Sequence, residues 1–359
     1  MLLHSILRFK YTKVAFFVSS ILASAVANAS RVRADIDYQY FRDFAENKGQ
    51  FTVGASNIPI FNKNNEKIGI MMQGIPMPDL NIANKNGGFA SLIDNAFVSS
   101  VQHNRGYGSV QFGDQDNKPD SHTFDYLLTS RNEMTSGENG YLKKPRAYET
   151  DYHVPRLHKL VTEVAPISVT DAFIENNDKE NYNTYGINGS GRFLSYVGVG
   201  SGDQSVYDLV ENKITNITDA YNFLTGGGIL GVHSVQGHTL WSKGNKLPDN
   251  TWVQDSRSLF GTDYGVMPTW GDAGDSGSPL LGYDSKLKKW VAIGVLIGGT
   301  QPPNAPYITV FNIHYPGYIK LVKDKFTAGI VQNNTNTEWE WAVDDNDKST
   351  SHSHSEQAS

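Results

Sequence analysis

The alternation of apolar and polar positions changes rhythm twice along the chain. An unbroken apolar run covers Val14 to Val26, and from Tyr38 to Asn47 the aromatic residues fall three or four apart, which predicts a short helix ended by Lys48-Gly49. From Phe51 onward the pattern turns to short apolar or alternating runs, punctuated by Gly, Asn, Asp and Pro. Phe51–Val53, Phe97–Val101, Gly108–Phe112, Leu157–Val164 and Trp290–Ile297 are examples. That spacing belongs to β-sandwiches and barrels, not to βαβ units. The segment Val206 to Leu224 carries apolar residues at helical spacing (Tyr207, Val210, Ile214, Ile217, Tyr221) and predicts a helix inserted in the β scaffold.

The first apolar run reads as an export signal. Arg8, Lys10 and Lys13 precede it and Ala27-Asn28-Ala29 supplies a small-x-small cleavage pattern, so residues 1–29 are expected to leave a mature chain starting near Ser30. The run is short for a membrane span, and no later stretch is long enough, so no stable membrane insertion is expected. The far end, from Asn333, turns acidic and then rich in Ser and His, the composition of a poorly ordered tail. The expected organisation is therefore signal 1–29, one β domain 30–325 and a tail 326–359.

Composition narrows the function classes. Of 359 residues 39% are apolar and 19% charged, with net charge −6 and no basic cluster, which argues against a nucleic-acid partner. There is no cysteine, so neither a disulfide framework, a Cys nucleophile nor a Cys-ligated metal is available.

The sharpest chemical signal is Gly274-Asp275-Ser276-Gly277-Ser278-Pro279. A serine nucleophile needs a tight turn whose N–H groups face a developing oxyanion, and flanking glycines permit both the turn and close substrate approach. A Gly/Ser turn alone is common in β proteins; six suitable residues in order, followed by an apolar strand, favour a nucleophile. The oxyanion donors would be the N–H groups of Gly274 and Ser276. The similar Gly202–Ser205 lacks the flanking glycine and proline, and Gly198–Gly202 lacks the Lys-Ser/Thr of a phosphate loop.

Serine needs a base, usually a histidine held by a carboxylate. Position leaves His103, His122, His153 and His158. His103 ends the run Ala96–Val101 and so lies at the mouth of a buried strand, early enough for the order His–Asp–Ser. For the acid, Asp151 competes with Asp125, Asp120 and the adjacent Glu149. The interval from Asp151 to Ser276 is generous and implies insertions. Asp275 is expected to point inward. Trp270 occupies by count the floor of the primary pocket, where trypsin-like enzymes of basic specificity carry an acid, so no strong preference for Lys or Arg is expected. Ser-His-Ser-His at 351–354 reads as solvated tail, not a metal site.

Long stretches carry a resemblance. Val32–Gly54, Ser100-Val-Gln-His103-Asn with Gly108–Gly113, Asp151–Pro166, and Gly271–Leu280 with Lys288–Leu296 resemble serine protease autotransporters of enteric bacteria, within the wider IgA-protease-like peptidases. The resemblance implies an all-β, chymotrypsin-like double β-barrel serine endopeptidase, with His103, Asp151 and Ser276 as triad. It implies no cofactor, protein substrates as partners, a monomer, and inner-membrane export machinery in transit. Such proteins carry a long β-helical stem and a membrane barrel after the protease. Here Thr337-Glu-Trp-Glu-Trp-Ala342 is read as the first rung of a stem, and a periplasmic or secreted product is expected. The rival expectation is a catalytically silent protease-fold binding fragment or a truncated, non-functional chain.

Overall fold

The computed structural model describes residues 28–104, 106–114, 122–136, 142, 148–174, 177–185, 191–200, 203–208, 213–217, 226–229, 234–243, 266–269, 271, 274–300 and 308–333. The chain enters through β1 (Asn28–Arg33) into helix α1 (Tyr38–Glu46), the predicted helix. Asp37 caps it by accepting from the Gln39 N–H, and Asn47, left-handed at φ 54°, ends it. Its aromatic stripe buries Phe41 and Phe44, and Phe44 meets Phe51 edge-on at 5.6 Å. Phe51 was expected in a strand; it sits instead in the 3-10 turn Gly49–Phe51, where one buried ring staples helix to core.

The hairpin β2 (Ile58–Phe61) and β3 (Lys67–Met71) follows. Next come β4 (Ser91–Asp94), β5 (Phe97–Ser99), β6 (Ser109–Asp114), β7 (His122–Ser130) and β8 (Arg156–Leu157). They form an antiparallel five-stranded sheet in the order β4-β5-β8-β7-β6. The run predicted over Leu157–Val164 pairs only at its first residue; Val161 and Val164 bury their side chains from irregular chain.

After α2 (Asp178–Tyr185) the chain makes β9 (Phe193–Gly200), β10 (Asp203–Asp208), β11 (Lys213–Ile217), β12 (Gly226–Ile229), β13 (Ser234–Gln236) and β14 (Thr239–Lys243). The remaining strands are β15 (Pro279–Asp284), β16 (Lys289–Thr300) and β17 (Ile308–Ile313). Seven of them form one antiparallel sheet, β12-β9-β15-β16-β17-β14-β13. Bulges at Leu280/Leu281 and Leu296/Gly298 curl it. Where the described residues bear on the helix predicted over 206–224, at 206–208 and 213–217, they are strand instead: β10 and β11 pair antiparallel, and β10 pairs with β1 in parallel. The β-branched Val206, Thr215 and Ile217 suit that pairing, and helical spacing of a few apolar residues did not outweigh it. Residues 218–225 lie outside the described residues.

The protein is thus mostly β, built on two curled sheets. The expected double barrel is met only that far, since hydrogen bonding among the described residues links each sheet in an open order. A shared core cluster joins the halves: Val101 and Tyr152 from the first pack with Val295, Tyr315, Tyr318 and Ile319 from the second. Helix α3 (Pro316–Asn333) closes this cluster. It runs through the expected domain end at 325, because Phe326 docks edge-on against Phe97 at 5.9 Å and beneath the Arg156 guanidinium at 4.6 Å. The signal segment up to Ala27, residues 334–342 with the expected stem rung, and the tail lie outside the described residues. No helix among the described residues is long and apolar enough to cross a membrane.

Candidate active site

The chain leaves β5 through Ser100 and Val101 into a single 3-10 turn, Gln102–Asn104. Ser100 exchanges both backbone hydrogen bonds with His153, each 3.1 Å, which lays the aspartate segment beside the histidine segment. Gln102 Nε2 donates to the Met134 and Tyr152 carbonyls at 2.7 and 3.0 Å. The turn therefore cannot rotate without breaking both amide contacts.

His103 then reaches Asp151 twice. Its backbone N–H donates to Oδ1 at 3.0 Å and its ring Nδ1 lies 2.6 Å from Oδ2. On the other side of the ring, Nε2 lies 2.7 Å from Ser276 Oγ. A carboxylate only accepts, so the neutral ring carries its proton on Nδ1 and leaves Nε2 to accept from the Ser276 hydroxyl. The imidazole is 40% exposed and the Asp151 carboxylate 20%, so the array opens to solvent at the serine end.

The second sheet braces the aspartate. Asn312 Nδ2 on β17 donates to the Tyr148 and Asp151 carbonyls at 3.1 and 3.0 Å, and the Tyr315 hydroxyl donates to the Glu149 carbonyl at 2.8 Å. Ser276 rides a turn whose Gly277 N–H donates to Leu296 O on β16 at 2.8 Å and whose Ser278 N–H donates to Asp275 O at 2.9 Å. Gly277 has φ 91°, and a Cβ there would overlap the Phe89 carbonyl oxygen and Ser100 Oγ. Only glycine lets the serine turn seat this closely on the first half.

The other sequence candidates fall elsewhere. Glu149 is buried and accepts the His238 N–H, while Asp125 accepts from Gln111 on the exposed face of β7. His153 is fully buried with Nε2 2.8 Å from the Tyr107 hydroxyl. His158 accepts the Leu127 N–H, and burial, then Lys159, hold its pKa below the ordinary value. The backbone of His122 opens β7. Asp275 is buried and lines a cavity of about 10 Å³, one water in size, with Gly271, Ser278 and Leu296. Gly274, at φ 107°, is exposed. Asp120, Gly202, Trp270, Asp272, Ala273 and the 351–354 tract lie outside the described residues.

Sequence reasoning missed Gln102, Asn104 and Asn312. Asn104 Nδ2 donates to the Ser276 carbonyl at 3.1 Å. Side-chain amides have no spacing rule, and their partners here come from distant segments, so no local signal marks them. Among the described residues no group of His, Asp and Glu is arranged to hold a metal ion.

With the fold and this array in place, the chain can be set beside known proteins. It shares its β architecture with the Haemophilus influenzae Hap adhesin, whose crystal structure aligns over 86% of this chain and 30% of that one (TM-score 0.65, 31% identity). The immunoglobulin A1 protease family profile matches residues 29–316, and the chain belongs to that family. Among curated relatives, an adhesion and penetration protein autotransporter of Haemophilus influenzae is 38% identical over 271 residues, covering 74% of this chain and 17% of the relative. An immunoglobulin A1 protease autotransporter of the same organism is 31% identical over 352 residues, 90% of this chain and 20% of the relative. The chain thus spans about a fifth of the length of these relatives.

Proposed function

We propose that this chain is an exported serine endopeptidase whose nucleophile is Ser276. The observation that carries the reading is the imidazole of His103 bridging Asp151 Oδ2 at 2.6 Å and Ser276 Oγ at 2.7 Å. Membership of the immunoglobulin A1 protease family supports it.

The chemistry follows from that series. Ser276 Oγ attacks a peptide carbonyl while His103 Nε2 takes its proton. Asp151 holds the tautomer and stabilises the imidazolium without itself taking the proton. The N–H groups of Gly274 and Ser276 are the proposed donors to the tetrahedral oxyanion. His103 then protonates the leaving amine, and water, activated by the same imidazole, attacks the acyl-enzyme and returns Ser276 to its hydroxyl. Protein chains are the expected substrates, without strong preference for Lys or Arg. Beside Ser276, among the described residues, β15 pairs with β16 only as far as Val295, and the edge of Ile297 to Gly299 that faces away from β17 is the proposed place for an extended substrate to pair.

A second reading has its own support. One solved structure this chain is similar to is described as an adhesin and one curated relative as an adhesion and penetration protein, which fits a protease fold used for binding. One experiment separates the two. The chain and its Ser276→Ala variant are offered a fluorophosphonate probe and unfolded casein. Labelling and cleavage by the parent, with kcat lower on the order of 10⁶-fold in the variant, support the peptidase. A folded parent that neither labels nor cleaves overturns it in favour of binding.

A further inference from the structure

We propose that Asn104 is a positioning residue for Ser276, an inference that rests on the peptidase reading above. Three successive residues of one 3-10 turn each grip a different part of the site. Gln102 holds the aspartate segment at the Tyr152 carbonyl, His103 holds the Asp151 carboxylate, and Asn104 Nδ2 holds the Ser276 carbonyl at 3.1 Å. The third contact differs from the others because it crosses to the second half of the molecule. A carbonyl oxygen only accepts, so it is the Asn104 nitrogen that must face it.

The geometry gives this bond a particular task. Ser276 lies between two peptide planes, and the one that follows it is pinned at both ends. Its N–H, on Gly277, donates to Leu296 O at 2.8 Å, and its C=O receives Asn104. Fixing that plane holds Cα of Ser276 in place, so that only the preceding peptide and χ1 remain to direct Oγ toward His103 Nε2. Because Asn104 is the chain neighbour of His103, any shift of the histidine turn carries the serine anchor with it. The separation of Nε2 and Oγ is thereby held across the interface between the two halves. The contact is made to the Ser276 carbonyl and not to its hydroxyl, so Asn104 acts through Ser276.

Two variants and two readouts test the assignment in the full chain. Asn104→Ala removes the amide, and Asn104→Asp keeps its shape but cannot donate when ionised. In each, kcat on a peptide substrate is expected to fall about tenfold, the factor one hydrogen bond of ordinary net strength carries. KM should stay within about twofold and the melting temperature should fall by no more than about 4 °C, the shift that loss of one such bond accounts for. The second readout needs no activity. In the parent, Ser276→Ala removes the partner of Nε2 and moves the ¹⁵N resonances of the His103 ring. In the Asn104→Ala background the same replacement is expected to move them less than half as far, since the two groups are no longer held in register. An undiminished shift, or kcat within twofold of the parent, overturns the assignment. If the parent itself proves inactive, the peptidase reading falls separately and the resonance shift alone decides whether Asn104 positions Ser276.

Discussion

His103 grips both oxygens of the Asp151 carboxylate, one through its backbone N–H at 3.0 Å and one through ring Nδ1 at 2.6 Å. The backbone bond sets where the carboxylate sits, and the ring bond sets which nitrogen of His103 keeps the proton. These are separable tasks, and a single substitution parts them.

Asp151→Asn keeps an acceptor oxygen but replaces the other by an NH₂. If that oxygen stays with the backbone N–H, the amide offers a donor to Nδ1, and the ring moves its proton to Nε2, where it can no longer accept from Ser276. The expected loss in kcat is on the order of 10⁴-fold with little change in stability, as the serine-protease precedent suggests. Burst kinetics with an activated ester would locate the loss in acylation; acylation of the Asp151→Asn variant at the parent rate would show that the carboxylate does not set the tautomer.

Gly277→Ala should be among the most damaging small changes in the molecule. The new methyl meets a backbone oxygen, that of Phe89, which cannot swing aside, and φ of 91° disfavours any side chain. A loss above about 2 kcal/mol is expected. Gly108→Ala, where a Cβ meets nothing within 4 Å, is the control and should change stability by less than about 1 kcal/mol. Urea unfolding of the two variants side by side checks the contrast.

Some of this was legible before any coordinates. The serine turn announces itself because glycine, serine and proline each suit it locally, and the apolar run Phe97–Val101 foretells where His103 sits. Asp151 was not separable from Asp125 or Glu149 by spacing, because nothing local distinguishes a carboxylate that turns toward a histidine from one that caps a loop. The false helix over 206–224 has a tertiary cause: β10 forms against β1, some 170 residues earlier in the chain, and no window of sequence contains both strands. Helix α3 was not read from the sequence at all, for a similar reason, since Phe326 is held there by packing on Phe97 and Arg156.

Acid should destabilise the fold well before carboxylates titrate. His238 is stacked between Phe173 and Tyr315, and burial lowers its pKa to about 4; His314, fully buried against the Tyr152 hydroxyl, is lowered to about 3 for the same reason. Unfolded, each returns to about 6.5 and binds a proton the folded state refuses. The unfolded chain then binds more protons, so stability is whole above about pH 6.5 and drains away as pH falls toward 4. His238→Phe keeps the stack and removes one titration. Melting temperature followed from pH 7.5 to 4.5 should fall less steeply in that variant; parallel curves would mean His238 does not drive the loss.

An ion pair of the second sheet joins the residue before β9 to the end of β15. Arg192 lies within 2.6–2.8 Å of Asp284 Oδ2 through two nitrogens and reaches Asp171 at 2.7 Å. The two carboxylates differ in burial: Asp284 is 1% exposed and Asp171 72%. Water replaces the lost partner at Asp171 but not at Asp284, whose pKa the guanidinium and the Leu287 and Lys286 N–H groups hold down against burial. Arg192→Met, which strands the buried charge, is expected to cost on the order of 3 kcal/mol, whereas Asp171→Asn should cost under about 1 kcal/mol. Because an unpaired Asp284 escapes its penalty by taking up a proton, the Arg192→Met deficit should shrink as pH falls through the carboxylate range. A deficit that is the same at pH 4 and pH 7 would place the loss in packing of the guanidinium over Phe193 and not in the charge it leaves behind.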